Sequence, residues 1–122
     1  NSDDIPDPQD PQTFLRSKLD WDERDDETRA RVLACYRDLL ALRRKRIEIT
    51  DPWLGHLHVD YDEDDQWITL RRGALQIVCN LGTDAASVPA GGTPILWWDP
   101  PTQDETASAT AVPGHSFVVL ES

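Results

Sequence analysis

Residues that would staple the chain, anchor it in a membrane or bind it to polyanions are scarce. Its 122 residues include only two cysteines, Cys35 and Cys79, and a chain of this length buries enough apolar surface to be stable without a disulfide. Cys35 falls in a predicted helix and Cys79 in a predicted strand, where free thiols behave as small buried hydrophobes, so both are expected unpaired. No apolar run approaches the ~18 residues of a membrane span. No charged-then-apolar leader opens the sequence, and the expected location is cytoplasmic. Bases are outnumbered, 12 against 23 acids, for a net charge of −11. Nucleic acid and anionic membranes, which require clustered Lys and Arg, are thereby disfavoured as partners. There is no Gly-x-Ser-x-Gly elbow and no cysteine set beside a histidine, so nucleophilic catalysis has no support.

What is present is unevenly distributed. Residues 1–65 carry 18 of the 23 acids and 10 of the 12 bases, whereas residues 66–122 carry only Arg71 and Arg72 as bases. Pro6, Pro8 and Pro11 each remove a backbone donor and push the preceding residue to extended geometry, which predicts a non-helical, extended segment over 1–12. With Ile5 almost its only apolar residue, that segment forms no core of its own and must lie on another surface or be mobile.

A helix is predicted from about 27 to 45, started by Asp25 and Asp26, with Glu27 in its first turn and Arg43, Arg44, Lys45 and Arg46 at its end, where the helix dipole favours cations. Val32, Leu33, Tyr36, Leu39, Leu40 and Leu42 spread over an arc of roughly 180°, against the ~100° that one packing layer requires. A helix covered on two sides fits this better than a helix under one broad sheet.

From His56 onward the pattern becomes that of strands, expected at about 56–60, 66–72, 74–81, 86–89, 94–98, 106–111 and 115–121. Turns fall at 62–65, Gly73, 82–84, Gly91-Gly92, Pro100-Pro101 and Pro113-Gly114. Short strands at such spacing predict a mainly β fold, an antiparallel sandwich preceded by one long helix. Trp67, Thr69 and Arg71 should face one way and Ile68 and Leu70 the other. The run Phe117-Val118-Val119-Leu120 predicts a strand buried on both faces.

Three constellations are candidate sites. Asp60, Asp62 and Asp64 occupy the first, third and fifth positions of a calcium loop, but Asp65 stands where glycine is needed and Arg71 where a bidentate Glu closes the site, leaving an acidic hairpin. His56 and His58 would share a strand face with Asp60, yet a further ligand at a defined spacing is missing and no metal is expected. Trp97-Trp98 is the best candidate for a sugar-stacking platform, although neighbours on a strand face opposite sides and at most one can serve. Trp53, between Pro52 and Gly55, is expected to plug the helix-to-sheet junction.

The run from Asp7-Pro8-Gln9-Asp10-Pro11 through Phe14 to Ser17-Lys18-Leu19-Asp20-Trp21 resembles the segment near the end of the catalytic barrel in the malto-oligosyltrehalose trehalohydrolase family of the α-amylase superfamily. The motif covers about the first third of the chain. Beyond it the resemblance rests on strand order, with Asn80-Leu81-Gly82 and Pro113-Gly114-His115 as weaker markers. It implies that residues 1–50 are the end of a (β/α)8 barrel, loop plus last helix, and that 51–122 are the C-terminal β-sandwich, with the barrel as partner. The implied parent activity is hydrolysis, with retention and without cofactor or metal, of the α-1,4 bond next to the terminal trehalose unit of a maltooligosyltrehalose. Its catalytic carboxylates come from earlier barrel strands, so this chain should contain none and be inactive alone. Barrel loops that follow strands lie on the active-site face. Lys18 and Trp21 would then border the substrate cleft, or Phe14, Leu19 and Trp21 would anchor the loop to the barrel. The alternatives are an α-glucan-binding module using Trp97 or Trp98, and the C-terminal domain of a glycogen branching enzyme, against which the Ser17–Trp21 motif speaks. Without its barrel the helix should self-associate through Val32, Tyr36, Leu39 or their neighbours.

Overall fold

The computed structural model describes residues 6–103 and 108–122. The chain divides into two compact units between Ala34 and Cys35, within one continuous helix.

In the first unit, aspartates start each helical element. Asp10 accepts from Gln12 N (2.8 Å) and caps α1, Pro11–Arg16. Asp20 accepts from Asp22 N (3.0 Å) and caps a 3-10 turn, Trp21–Asp25. Asp26 accepts from Thr28 N and Arg29 N at the start of α2, Glu27–Lys45. The expected bounds of the long helix are thus met. The expectation of a wholly extended segment is corrected, because Pro11 sits at the first helical position, where its missing N–H would have had no partner anyway.

In the second unit a short α3, Ile47–Thr50, and a 3-10 turn, Leu54–His56, lead into the strands. These are β1 His58–Asp62, β2 Trp67–Arg72, β3 Leu75–Asn80, β4 Ala86–Val88, β5 Thr93–Trp97, β6 Thr102–Gln103, β7 Thr110–Val112 and β8 Ser116–Glu121. They form two antiparallel sheets, one of five strands in the order β1-β2-β3-β8-β5 and one of three in the order β4-β7-β6. The first strand begins two residues later than expected, because His56 belongs to the 3-10 turn. Short β6 was not foreseen, and positions 106 and 107 of the strand expected at 106–111 lie outside the described residues.

Register explains the core. Thr69 pairs with Val78 and Val78 with Val118, so these side chains share one face of the large sheet. Val78, Val118 and Leu120 from that sheet join Val88, Ala90 and Val112 in the buried cluster, with Trp67 packed against it. Strand β8 lies between β3 and β5, and Val118, Val119 and Leu120 are all buried, as the continuous apolar run predicted. Gly73, at φ +58°, makes the turn between β2 and β3.

On α2 the broad apolar arc divides. Cys35, Leu39 and Leu42 are partly buried, whereas Tyr36 is 63% and Leu40 50% exposed, and Val32 and Leu33 are exposed as well. Neither cysteine is in a disulfide. Among the described residues no helix is long and apolar enough to cross a membrane.

Candidate functional site: a polar cavity beside an exposed indole

The residues singled out from the sequence fall in different parts of the chain. In the first unit Trp21 opens the 3-10 turn and is exposed, while the Lys18 ammonium lies 5.9 Å from the Phe14 ring centroid, a cation–π contact. Phe14 and Leu19 are exposed too. In the second unit Trp97, on edge strand β5, is 43% exposed; Trp98 follows the strand, partly buried, and donates its backbone N–H to the Phe117 carbonyl (3.1 Å). Only one indole of the pair is open.

Two expectations are corrected. Trp53 is not a plug: 66% of it is exposed. His56 does not share a strand with His58; its Nδ1 lies 2.9 Å from Asp51 Oδ2 instead. Among the described residues no three His, Cys, Asp or Glu side chains gather as metal ligands. The acidic run forms the β1–β2 hairpin, in which Asp62 Oδ1 accepts from Asp64 N and Asp65 N at 2.9 Å each, spending the carboxylate on its own turn.

The best-organised polar region was not foreseen. It is the connector from Arg46 to His56, clasped to the large sheet by two arginines. Arg46, rather than merely ending α2, bridges Glu48 (Nη2–Oε1 3.0 Å) and Glu121 of β8. Arg72 of β2 donates to the carbonyls of Glu48 (3.3 Å), Asp51 and Trp53 (3.0 Å), so one planar guanidinium holds the connector at three points. Asp51 also accepts from Trp53 N (2.9 Å). The His56 ring, then that Trp53 N–H, hold the Asp51 carboxyl below its ordinary range. Arg46 does the same for Glu48, helped by backbone N–H donation. Beside this clasp lies an open cavity of about 540 Å³ whose polar lining includes Asp51, His56, His58 and Arg71.

A second fixed point joins two sequence markers. Asn80, 1% exposed, donates from Nδ2 to the carbonyls of Asp84 (2.8 Å) and Val112 (2.9 Å), and its Oδ1 accepts from Gly82 N (2.9 Å). Gly82 in turn accepts from His115 N (2.9 Å). A Cβ on Gly114 would run into the Thr83 carbonyl, so only glycine fits there. Asn80-Leu81-Gly82 and Pro113-Gly114-His115 are two sides of one interlocked corner.

Two antiparallel sheets packed as a sandwich, entered through a connector clasped by Arg46 and Arg72, define a β-sandwich domain. The chain belongs to the family described as "Domain of unknown function (DUF3459)", whose profile matches residues 52–119. Its similarity also extends upstream of that domain. It is 47% identical over 119 residues to the malto-oligosyltrehalose trehalohydrolase of Mycobacterium tuberculosis, covering 98% of this chain and 20% of that protein. With the enzyme of the same name from Brevibacterium helvolum it shares 35% over 94% of its length, and with that from Deinococcus radiodurans 41% over 72%. The resemblance read from the Ser17–Trp21 motif therefore holds over nearly the whole chain. The chain spans about a fifth of the length of the curated relatives it matches.

Proposed function

We propose that this chain serves as the part of a malto-oligosyltrehalose trehalohydrolase that ends its catalytic barrel and adds the β-sandwich behind it. Residues 1–50 supply the last barrel loop and helix, and 51–122 the sandwich. The parent enzyme cleaves the α-1,4 bond next to the terminal trehalose unit of a maltooligosyltrehalose with retention of configuration. Retaining chemistry needs two carboxyl groups about 5–5.5 Å apart, one as acid and one as nucleophile; they come from outside this chain. The observation carrying the reading is the identity to trehalohydrolases over 98% of the chain.

The open side of α2 supports a stabilising role. Val32, Leu33, Tyr36 and Leu40 are exposed apolar side chains on one helix, and covering them against the barrel would contribute roughly 25 cal/mol per Å² buried. In the isolated chain the same residues drive self-association. Lys18 and Trp21, in the loop before α2, border the substrate cleft. The test is trehalose release from maltooligosyltrehalose by the intact enzyme carrying this sequence, alongside the 122-residue chain alone. Release by the first and none by the second is expected; turnover by the chain alone would overturn the reading.

A further inference from the structure

We propose that Trp53 and the cavity beside it form a binding site for a neutral gluco-oligosaccharide, distinct from the Trp97–Trp98 pair. The proposal rests on the trehalohydrolase reading for its choice of sugar.

The first argument is the placement of the indole. An exposed tryptophan in a loop usually gains by folding onto apolar surface, but Trp53 is held out. Its N–H donates to Asp51 Oδ1 (2.9 Å), and its carbonyl accepts from Arg72 Nη2 (3.0 Å) and from His56 N (3.3 Å). The backbone is thus pinned on both sides while the ring stays two-thirds exposed. The edge of the indole lies over Gly55: a Cβ there would stand 2.6 Å from Trp53 Nε1. Glycine at 55 therefore lets the ring rest against the connector with its far part open. A preset aromatic surface costs little ordering entropy when a ligand stacks on it.

The second argument is the chemistry of the cavity. Gly55 is part of its wall, together with Asp51, His56, His58 and Arg71. Its volume of about 540 Å³ falls within the roughly 300–1,000 Å³ of small-molecule clefts. Its wall carries both donors and acceptors, with the Arg71 guanidinium and His58 ring on β2 and β1, opposite each other in register, and the Asp51–His56 pair on the connector. Arg72 is committed to three carbonyls and Glu48 to Arg46. What is left matches a row of sugar hydroxyls, each able to donate and accept. An anion would have to approach the Asp51 and Glu48 carboxylates in a chain of net charge −11, which disfavours it. A pyranose ring can place its C–H face on the indole and turn its hydroxyls into the cavity.

Trp97 lacks this setting. It stands on an edge strand, opposite Val118.

The experiment is a titration of the 122-residue chain with maltoheptaose, following the five indole N–H signals by NMR. Saturable shifts at the Trp53 indole, with Kd on the order of 1 mM, are expected for a shallow open site. Trp53→Ala and Arg71→Ala should each weaken binding at least about tenfold, Trp53→Phe should restore most of it, and Trp97→Ala should leave it unchanged. Unchanged far-UV circular dichroism accompanies each variant that is scored. No saturable shift at Trp53, shifts centred on Trp97, or a response to inorganic phosphate in place of the sugar would each overturn the site. Trehalose release by the intact wild-type enzyme is scored separately. Release without glucan binding at Trp53 overturns this site alone; binding at Trp53 without release upholds the site and overturns the trehalohydrolase reading.

Discussion

Replacing Asn80 with alanine removes a side chain whose donors and acceptor are all spoken for. Three backbone groups lose their partner: the Gly82 N–H, the Val112 carbonyl and the Asp84 carbonyl. Asp84 is exposed and its carbonyl can turn to water, whereas Gly82 and Val112 are buried. A buried polar group left unsatisfied costs about 1–3 kcal/mol, so Asn80→Ala should destabilise by about 2–4 kcal/mol. Against a typical total of about 5–15 kcal/mol that is a large fraction, and for a domain of this size it lowers Tm by roughly 10–20 °C. Urea unfolding followed by tryptophan fluorescence should show a lower midpoint with little change in slope. Asn80→Asp is the sharper variant. It keeps the acceptor for Gly82 but turns a second acceptor toward two carbonyls and buries a charge. Burial raises the folded pKa of the new carboxyl above the ordinary ~3.9, so its penalty grows as pH rises past that value and shrinks in acid. The reasoning is refuted if Asn80→Ala lies within about 0.5 kcal/mol of wild type, or if Asn80→Asp is the more stable of the two variants at neutral pH.

Arg72→Met should cost about 1–3 kcal/mol in the same assay, and Arg72→Lys should recover little, since an ammonium lacks the planar fork that reaches three carbonyls; equal stability of Arg72→Lys and wild type would contradict the clasp. The Asp51 and Glu48 carboxyls are held below their ordinary values by His56 and Arg46, so their stabilisation is complete above the unfolded values of about 3.9 and 4.3 and is lost as pH falls through the lowered folded values. Acid titration should accordingly place the unfolding midpoint of His56→Ala and Arg46→Met at higher pH than wild type, and superimposable curves would refute this. Tyr36→Asp should reduce the apparent mass of the isolated chain in light scattering at high concentration from an assembly to a monomer; a monomeric wild type would contradict self-association. In the intact enzyme, Trp21→Ala should raise KM for long substrates more than for short ones if the loop borders the cleft.

The elements legible in the sequence were those written by periodicity and by turn residues. The helix over 27–45 follows from its acidic start, basic end and apolar spacing, and β8 from four consecutive apolar residues. The breadth of the apolar arc on α2 was legible, but not where it divides: Leu39, expected with Val32 and Tyr36 on the self-associating face, is partly buried while those two are exposed. Less legible was anything decided by a single hydrogen bond. Pro11 argues against a helix by its missing N–H, yet at the first helical position, with Asp10 as cap, it is compatible with one. The cavity by Trp53 escaped for a related reason: Arg72 and Asp51 are distant in sequence, and nothing in composition says that an arginine on β2 will hold the carbonyls of the connector. The signal that was available is the tryptophan itself, set between Pro52 and Gly55 in a turn and not on a strand, where no sheet face covers it. Trp97 and Trp98 are adjacent, yet only Trp97, the last residue of β5, is exposed, and Trp98 beyond it is partly buried.

On the proposed reading, this chain completes and steadies a trehalohydrolase barrel whose chemistry lies in the rest of the enzyme. Thermal unfolding and trehalose release, measured on the intact enzyme with and without residues 51–122, test this directly. A markedly lower Tm and lost release in the shortened enzyme are predicted. Unchanged Tm and unchanged release after removing the sandwich would contradict the account.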